Sequence, residues 1–180
     1  MNTFKDIVGY LLGLCIFVLG IPVLMLWLSG IASIFPPGDV YHIPSDVAYY
    51  YLRSLSGQIG ILGLALSIWS IIYMRKEGKG NPFDAYGHEV APRTKELMTK
   101  GPYRICRNPM LLGIYIYHAG WVSFIWSWIA GAIFLVEVIL LTLQVRSEEK
   151  RLEKDFGEAY LAYKKRTGRY LPFPLCKPNC

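Results

Sequence analysis

The sequence predicts an all-α integral membrane protein of about four transmembrane helices, and three observations predict it. Hydrophobic residues make up 53% of the 180 and charged residues only 18%, a balance tilted away from that of soluble domains. The apolar residues also fall in blocks: Ile7 to Val40 carries one charge, Asp39, and Ser54 to Met74 carries none. Each block exceeds the roughly 20 residues a helix needs to cross a bilayer. Finally, Asn108 to Val145 is interrupted only by His118 and Glu137, too long a run for one span and suited to two helices joined by a tight turn near Ser123–Trp128. A fifth span would require the first block to break at Pro22. The length suits one domain, 1–180, divided into two N-terminal helices (1–74), a polar loop (75–108), a helical hairpin (109–146) and a tail (147–180).

The first helix, 1–34, has Gly9 and Gly13 four residues apart, a spacing that lets membrane helices approach closely. Pro36-Pro37-Gly38 ends it. The loop to Arg53, with Tyr41, Tyr49, Tyr50 and Tyr51, reads as an interfacial aromatic belt. The second helix, about 54–74, aligns Gly57, Gly60, Gly63, Ser67 and Ser70 on one face, for helix packing or for a ligand tail. From Arg75 to Lys100 the chain is polar and rich in Gly and Pro, a set of turns with no phosphate-cradling motif. Pro109 suits a first helical turn and Asn108 an N-cap, which starts the third helix directly beside Arg107. The fourth helix leaves the membrane into 146–156, Gly157 is a plausible stop, and 158–166 reads as a short amphipathic helix with Tyr160 and Tyr163.

The net charge of +6 is unevenly placed. Segment 75–107 has eight basic and four acidic residues, and 146–180 has nine and five, whereas 36–53 has only Asp39, Asp46 and Arg53. The positive-inside rule puts both basic regions, and with four spans both termini, in the cytoplasm. Nucleic-acid binding explains the charge less well, because the basic residues flank membrane helices and are mixed with acids. Cys15, Cys106, Cys176 and Cys180 match neither a zinc pattern nor a prenylation box, so unpaired thiols and no metal site are expected. The first apolar run is too long for a signal peptide and has no clear cleavage site.

Two features carry chemistry. Arg104 and Arg107 stand at the mouth of the hairpin, either as plain anchors to lipid phosphates or as a clamp for a carboxylate. His118 and Glu137 are ionisable residues at depth, some 14 and 15 Å from a turn near Ser127 at 1.5 Å per residue, and they can pair across it. Glu148 and Glu149 at the membrane exit read, on their own, as solvated surface with Lys and Arg partners. A hairpin brings the arginines, these acids and the tyrosine-rich tail to one membrane face.

The stretch G-P-Y-R-I-C-R-N-P-M-L-L-G, followed by E-E-K-R-L-E-K-D-F-G-E-A-Y-L-A-Y-K-K-R-T-G-R-Y-L-P, resembles the isoprenylcysteine carboxyl methyltransferase family. That family sits in a wider group of membrane methyltransferases that includes phospholipid N-methyltransferases. The resemblance covers about residues 76–173; the first 74 match only in being membrane helices. It implies an S-adenosylmethionine site on the cytoplasmic side, formed by the loop and the C-terminal tail, with an opening to the bilayer for a lipophilic substrate. It implies cofactor-binding roles for Arg107, Asn108, Glu148 and Glu149, a catalytic role for Arg107 in positioning the methyl acceptor, and lining or bracing roles for Tyr103, Tyr160, Tyr163 and Arg169. Asn108 stands where eukaryotic members carry His, and Leu111 where many carry Tyr, differences that bear on the acceptor.

A sulfonium methyl is already activated, so such a protein mainly aligns the reactants and excludes water. A carboxylate acceptor needs no base. An amine or thiol would need one, and Glu148, Glu149 and His118 are the candidates. Two other readings compete: an NADPH-dependent membrane reductase of the sterol type, and a non-enzymatic scaffold or small transporter, for which no inverted repeat is visible. Neither the acceptor nor the oligomeric state follows from the sequence.

Overall fold

A computed structural model describes residues 12–32, 47–78, 84–85, 88–89 and 96–171. A π-helical segment, Leu14–Gly20, runs directly into α1 (Ile21–Ala32). Helix α2 spans Val47–Glu77. A two-residue antiparallel ribbon follows, β1 (Asp84–Ala85) with β2 (His88–Glu89). A 3-10 turn, Gly101–Arg104, precedes the hairpin of α3 (Pro109–Ile125) and α4 (Trp128–Arg166).

Two helices are long and apolar enough to cross a membrane, Tyr50–Glu77 within α2, and α4, while α1 and α3 are apolar but shorter. Their outward residues are those of a surface facing hydrocarbon: Leu62 on α2 is 68% exposed, and Leu135, Ile139 and Leu143 on α4 are open as well. Helix α2 is longer than the 54–74 the sequence predicts. It continues through Arg53 at one end and Arg75, Lys76 and Glu77 at the other, because a helix does not stop where its apolar stretch stops.

The hairpin turns where expected. Trp126 adopts left-handed backbone (φ 55°) and its N–H donates to the Val122 carbonyl at 2.8 Å. Ser127 caps α4, its Oγ accepting from the Ile129 N–H at 3.3 Å. Ile125 and Ala130 close over Met25 of α1 beside this turn.

Helices α2 and α3 run antiparallel and nearly touch. A Cβ on Gly63 would lie 2.6 Å from the Gly113 carbonyl oxygen, and one on Gly113 would strike Gly63 and Ser67. Ser67 Oγ donates to the Met110 carbonyl at 2.7 Å, and the Ser56 and Ser123 hydroxyls meet at 2.7 Å near the other end. The small-residue face of α2 is therefore a packing face at Gly60, Gly63 and Ser67.

Helix α1 is joined to α3 by what Pro22 lacks. Without an N–H, Pro22 cannot donate five residues back to Phe17 in the π register or four back to Val18 in the α register. Side chains from α3 take both carbonyls: His118 Nε2 donates to Phe17 O at 2.7 Å and the Tyr117 hydroxyl to Val18 O at 3.0 Å. His118 Nδ1 faces both Glu137 oxygens at 2.8 Å, so the pair expected across the hairpin forms. Since the carbonyl can only accept, Nε2 carries a hydrogen, and one further proton is shared between Nδ1 and the carboxyl group. The pair is neutral as a unit, which suits its burial at 0% and 7% exposure. Both ring nitrogens are engaged and the ring is closed off, which removes His118 from the candidate bases.

Gly157 interrupts α4 with backbone only glycine adopts easily (φ 49°, ψ −126°), as its predicted stopping role requires. Beyond it the chain turns back, and Lys164 Nζ reaches Glu153 Oε1 at 2.5 Å. The Gly9 contact, Tyr41 of the expected belt, most of the 79–95 loop, and Cys176 with Cys180 lie outside the described residues; Tyr50 and Tyr51 are exposed, as a belt requires.

Candidate functional site

The stretch 100–109 is shaped by a glycine and two prolines. Gly101 takes left-handed backbone (φ 59°), and a Cβ there would meet the Tyr73 ring at 2.6 Å. Pro102 and Tyr103 are buried in the 3-10 turn, and the Tyr103 ring lies 6.5 Å from that of Tyr73. This seats Cys106 and Arg107 inward, while Arg104 is exposed and takes no part in the cluster. The two arginines at the mouth thus separate: one faces out and one faces the site.

Arg107 Nη2 lies 3.1 Å from Glu149 Oε1 on α4. Arg169, beyond the end of α4, grips the same carboxylate with two nitrogens, Nε to Oε1 at 3.1 Å and Nη2 to Oε2 at 2.6 Å. Glu149 is 5% exposed, which overturns the expectation that the acidic pair is solvated surface. The reason is the hairpin geometry: Glu149 sits on the face of α4 turned toward the start of α3, and two guanidiniums offset its desolvation. Its bonds to Arg169 in turn raise the pKa of that guanidinium above its ordinary value. Glu148 is half-buried. Burial first, and the charge of Glu149 second, push its carboxyl from 4.5 up to about 7.

The tail is strapped over the mouth of the hairpin by backbone bonds. The Arg107 N–H donates to the Gly168 carbonyl at 2.9 Å and the Asn108 N–H to the Arg169 carbonyl at 3.1 Å. Asn108 occupies the N-cap position, but its side chain makes no capping bond; its Nδ2 reaches the Arg169 carbonyl at 3.4 Å instead. The expected capping by Asn108 is therefore replaced by a contact to the tail, which competes for the same amide. Tyr163 ties the end of α4 to the 3-10 turn, its hydroxyl donating to the Tyr103 carbonyl at 2.7 Å. Tyr170, which the sequence did not single out, packs edge-on against Tyr115 with ring centroids 5.4 Å apart and brings its hydroxyl to 3.3 Å from Thr142. Only its place in the G-R-Y-L-P stretch hinted at it.

Several donors in this cluster point at nothing. Arg107 Nε and Nη1 and the Tyr160 hydroxyl are buried with no hydrogen-bond partner among the described residues. Tyr160 is 1% exposed and its ring lies 6.3 Å from that of Tyr163. Burial, then the Glu149 charge, raises the Tyr160 phenol above its ordinary pKa, so it stays a donor. Burial also pushes the Cys106 thiol up to about 11 against the lowering pull of the Asn108 amide and Arg107, so it is no nucleophile at neutral pH. Among the described residues no group of three or more metal-ligating side chains occurs.

A buried arginine and carboxylate cluster, at the mouth of an apolar helical hairpin, has the makings of a site for a small charged molecule next to a membrane. The chain matches the phospholipid methyltransferase family over residues 55–159, more than half its length, and belongs to that family. It is 35% identical over 95 residues to the Protein-S-isoprenylcysteine O-methyltransferases of Mus musculus and Rattus norvegicus, a match covering 52% of this chain and 34% of each relative. The match thus spans about a third of the length of those curated relatives. No solved structure matches the chain. The resemblance read from the two motifs is borne out: the first lies wholly inside the matched region, and the second begins inside it and runs past its end.

Proposed function

We propose that this chain is an S-adenosylmethionine-dependent methyltransferase of the membrane, crossing it four times with both termini and the cofactor site in the cytoplasm. Its acceptor is a lipophilic molecule entering from the bilayer; the relatives' name offers the carboxylate of an isoprenylated cysteine as the model. The observation that carries the reading is the pair of unsatisfied nitrogens on buried Arg107 beside a carboxylate held by two arginines. Buried donors without partners are costly, and a bound anion relieves that cost.

The residues present fit the cofactor. Arg107 offers N–H groups to a carboxylate, Tyr160 a neutral hydroxyl, and Glu148 with Glu149 negative charge to an ammonium and a sulfonium. When bound, the cofactor supplies an electrophilic methyl group. The chain's own part is to hold and orient. Arg107 draws a carboxylate into place, and Glu149 and Arg169 keep the Arg107 guanidinium from swinging away. Tyr163 and the 167–171 strap cover the site from water. For a carboxylate acceptor no proton need move; for an amine, Glu148, with its carboxyl near 7, is poised to take one. Tyr103 and Asn108 act by holding the strap and the start of α3.

Titration of the purified protein with S-adenosylmethionine, and separately with NADPH, tests the assignment. Saturable binding of the first, weakened at least tenfold in Arg107→Ala, is expected, since a charge-assisted bond to a carboxylate contributes about 1.5–3 kcal/mol. Binding of NADPH alone would move the chain to the reductase reading, and binding of neither to the scaffold. Radiolabelled methyl transfer into a membrane lipid extract then identifies the acceptor.

A further inference from the structure

We propose that Tyr170 gates the path of the acceptor: its ring plugs the seam between α3 and α4, and the apolar tail of an acceptor entering from the bilayer takes its place. This gate rests on the methyl-transfer reading and is the means by which that site opens. A lipophilic acceptor with its head at Arg107 has to run its tail out between two helices. The α2–α3 seam offers no passage, since a Cβ on Gly63 or on Gly113 would strike the other's carbonyl oxygen. The α3–α4 seam leads directly from Arg107 and Glu149, whose side chains meet at its mouth.

Three observations make Tyr170 a gate. First, it fills the seam where a tail would run. Tyr115 lies two residues past Gly113, about 200° around α3, and so faces away from α2. The Tyr170 ring stands edge-on to it, centroids 5.4 Å apart, and brings its hydroxyl to 3.3 Å from Thr142 Oγ1 on α4. Thr142 precedes Glu149 by two turns, so the tip of the ring sits about 10 Å further into the bundle than the Arg107–Glu149 pair. Leu143, the next residue, is exposed on the outer surface of α4, where the seam meets lipid. Second, the plug belongs to neither wall. Tyr170 comes four residues after α4 ends at Arg166 and hangs from the strap. Deeper in, the seam is closed by the helices' own side chains, Tyr115 against Phe134 and His118 on Glu137. The Tyr170 ring can swing about its own χ1 while the strap's backbone bonds and the Arg169–Glu149 fork stay made. Third, the ring is seated by shape. Its hydroxyl lies 3.3 and 3.5 Å from those of Thr142 and Tyr115, long for such pairs, whereas the Tyr163 hydroxyl is 2.7 Å from its acceptor. Withdrawal breaks no short hydrogen bond, and an isoprenoid or acyl tail restores the apolar contact with Tyr115 that the ring gives up.

The full chain, in phosphatidylcholine nanodiscs and with fluorotyrosine in place of Tyr170 alone, is read by fluorine NMR with S-adenosylmethionine present. N-acetyl-S-farnesylcysteine or lysophosphatidylethanolamine should move the signal from a seated to a displaced position. N-acetylcysteine and glycerophosphoethanolamine, the same heads without tails, should not. In radiolabelled methyl transfer to the effective tailed probe, Tyr170→Ala should lower the half-saturating concentration about tenfold, with kcat moving less. That is the gain from abolishing a closed state that holds about nine molecules in ten. Tyr170→Phe keeps the ring and should return the value to within about twofold of the parent chain's. A mere brace gives the opposite sign, since losing it raises the half-saturating concentration or lowers kcat alone. The gate is overturned if neither tailed probe moves the signal in protein that binds S-adenosylmethionine, if the tailless probes move it equally, or if Tyr170→Ala raises the half-saturating concentration. Failure to bind S-adenosylmethionine overturns the methyl-transfer reading instead, while the fluorine signal still reports on the seam. Should Tyr170→Ala not fold, the fluorine comparison decides alone.

Discussion

Replacing Glu149 by glutamine removes one charge and leaves two guanidiniums facing each other across an amide. At an effective dielectric constant of 20, each guanidinium–carboxylate pair with charge centres about 4 Å apart is worth about 4 kcal/mol in gross attraction. Desolvation of the ions offsets much of this, and Arg169, 30% exposed, counts for less than Arg107 at 9%. The net loss expected for Glu149→Gln is about 3 kcal/mol, the lower end for breaking a buried pair from one side. In detergent solution that lowers the unfolding midpoint by roughly 6–10 °C for a chain of this size. The cycle with Arg107→Met makes the argument specific. Because Arg107 loses its partner in Glu149→Gln, the double variant should be less destabilised than the two single variants summed, by about 1–3 kcal/mol. Additivity to within about 0.5 kcal/mol would refute the claim that Glu149 acts through Arg107.

Other consequences are open to measurement. The Glu148 carboxyl lies higher in the folded chain, at about 7 against 4.5, so the stability it contributes is complete below 4.5 and is lost as pH rises through about 7. The loss is about 3 kcal/mol at 1.36 kcal/mol per pH unit, and Glu148→Gln should flatten that slope in unfolding curves taken from pH 5 to 8. Gly113→Leu forces a side chain into the Gly63 backbone and should cost 3 kcal/mol or thereabouts, roughly the upper range for overpacking, whereas Gly57→Ala should be neutral or mildly stabilising; thermal unfolding distinguishes them. His118→Leu alone strands the Glu137 carboxylate and should destabilise by about 3–5 kcal/mol, while His118→Leu with Glu137→Leu should recover part of it. Equal losses in the single and double variants would contradict the pairing.

The hairpin was legible in the sequence because its signals are local. An apolar run too long for one span, turn residues near Ser123–Trp128, Pro109 in a first turn and Gly157 as a break each act within a few residues, and each stands where expected. The His118–Glu137 pair followed from helical rise alone, since an antiparallel hairpin with a known turn sets depth on both arms. The burial of Glu149 was not legible. Arg104 and Arg107, and Glu148 and Glu149, are near-equivalent on paper, and which of each pair faces inward depends on helix rotation, which is set by packing against the rest of the bundle. The strap was hidden for another reason: it is made of backbone amides and carbonyls, which every residue has, so nothing in the sequence of 167–171 marks which of them will bond. The partners of Phe17 and Val18 were hidden in the same way, although Pro22 was in plain view.

That proline has a consequence for how the first helix is replaced or kept. An amide restored at position 22, as in Pro22→Ala, would compete with imidazole and phenol for the same oxygens and let the leading segment wind as an ordinary helix. His118 would then lose its carbonyl acceptor, and with it the reason a hydrogen stays on Nε2. An imino acid that makes no bond of its own thereby governs where a hydrogen rests two helices away.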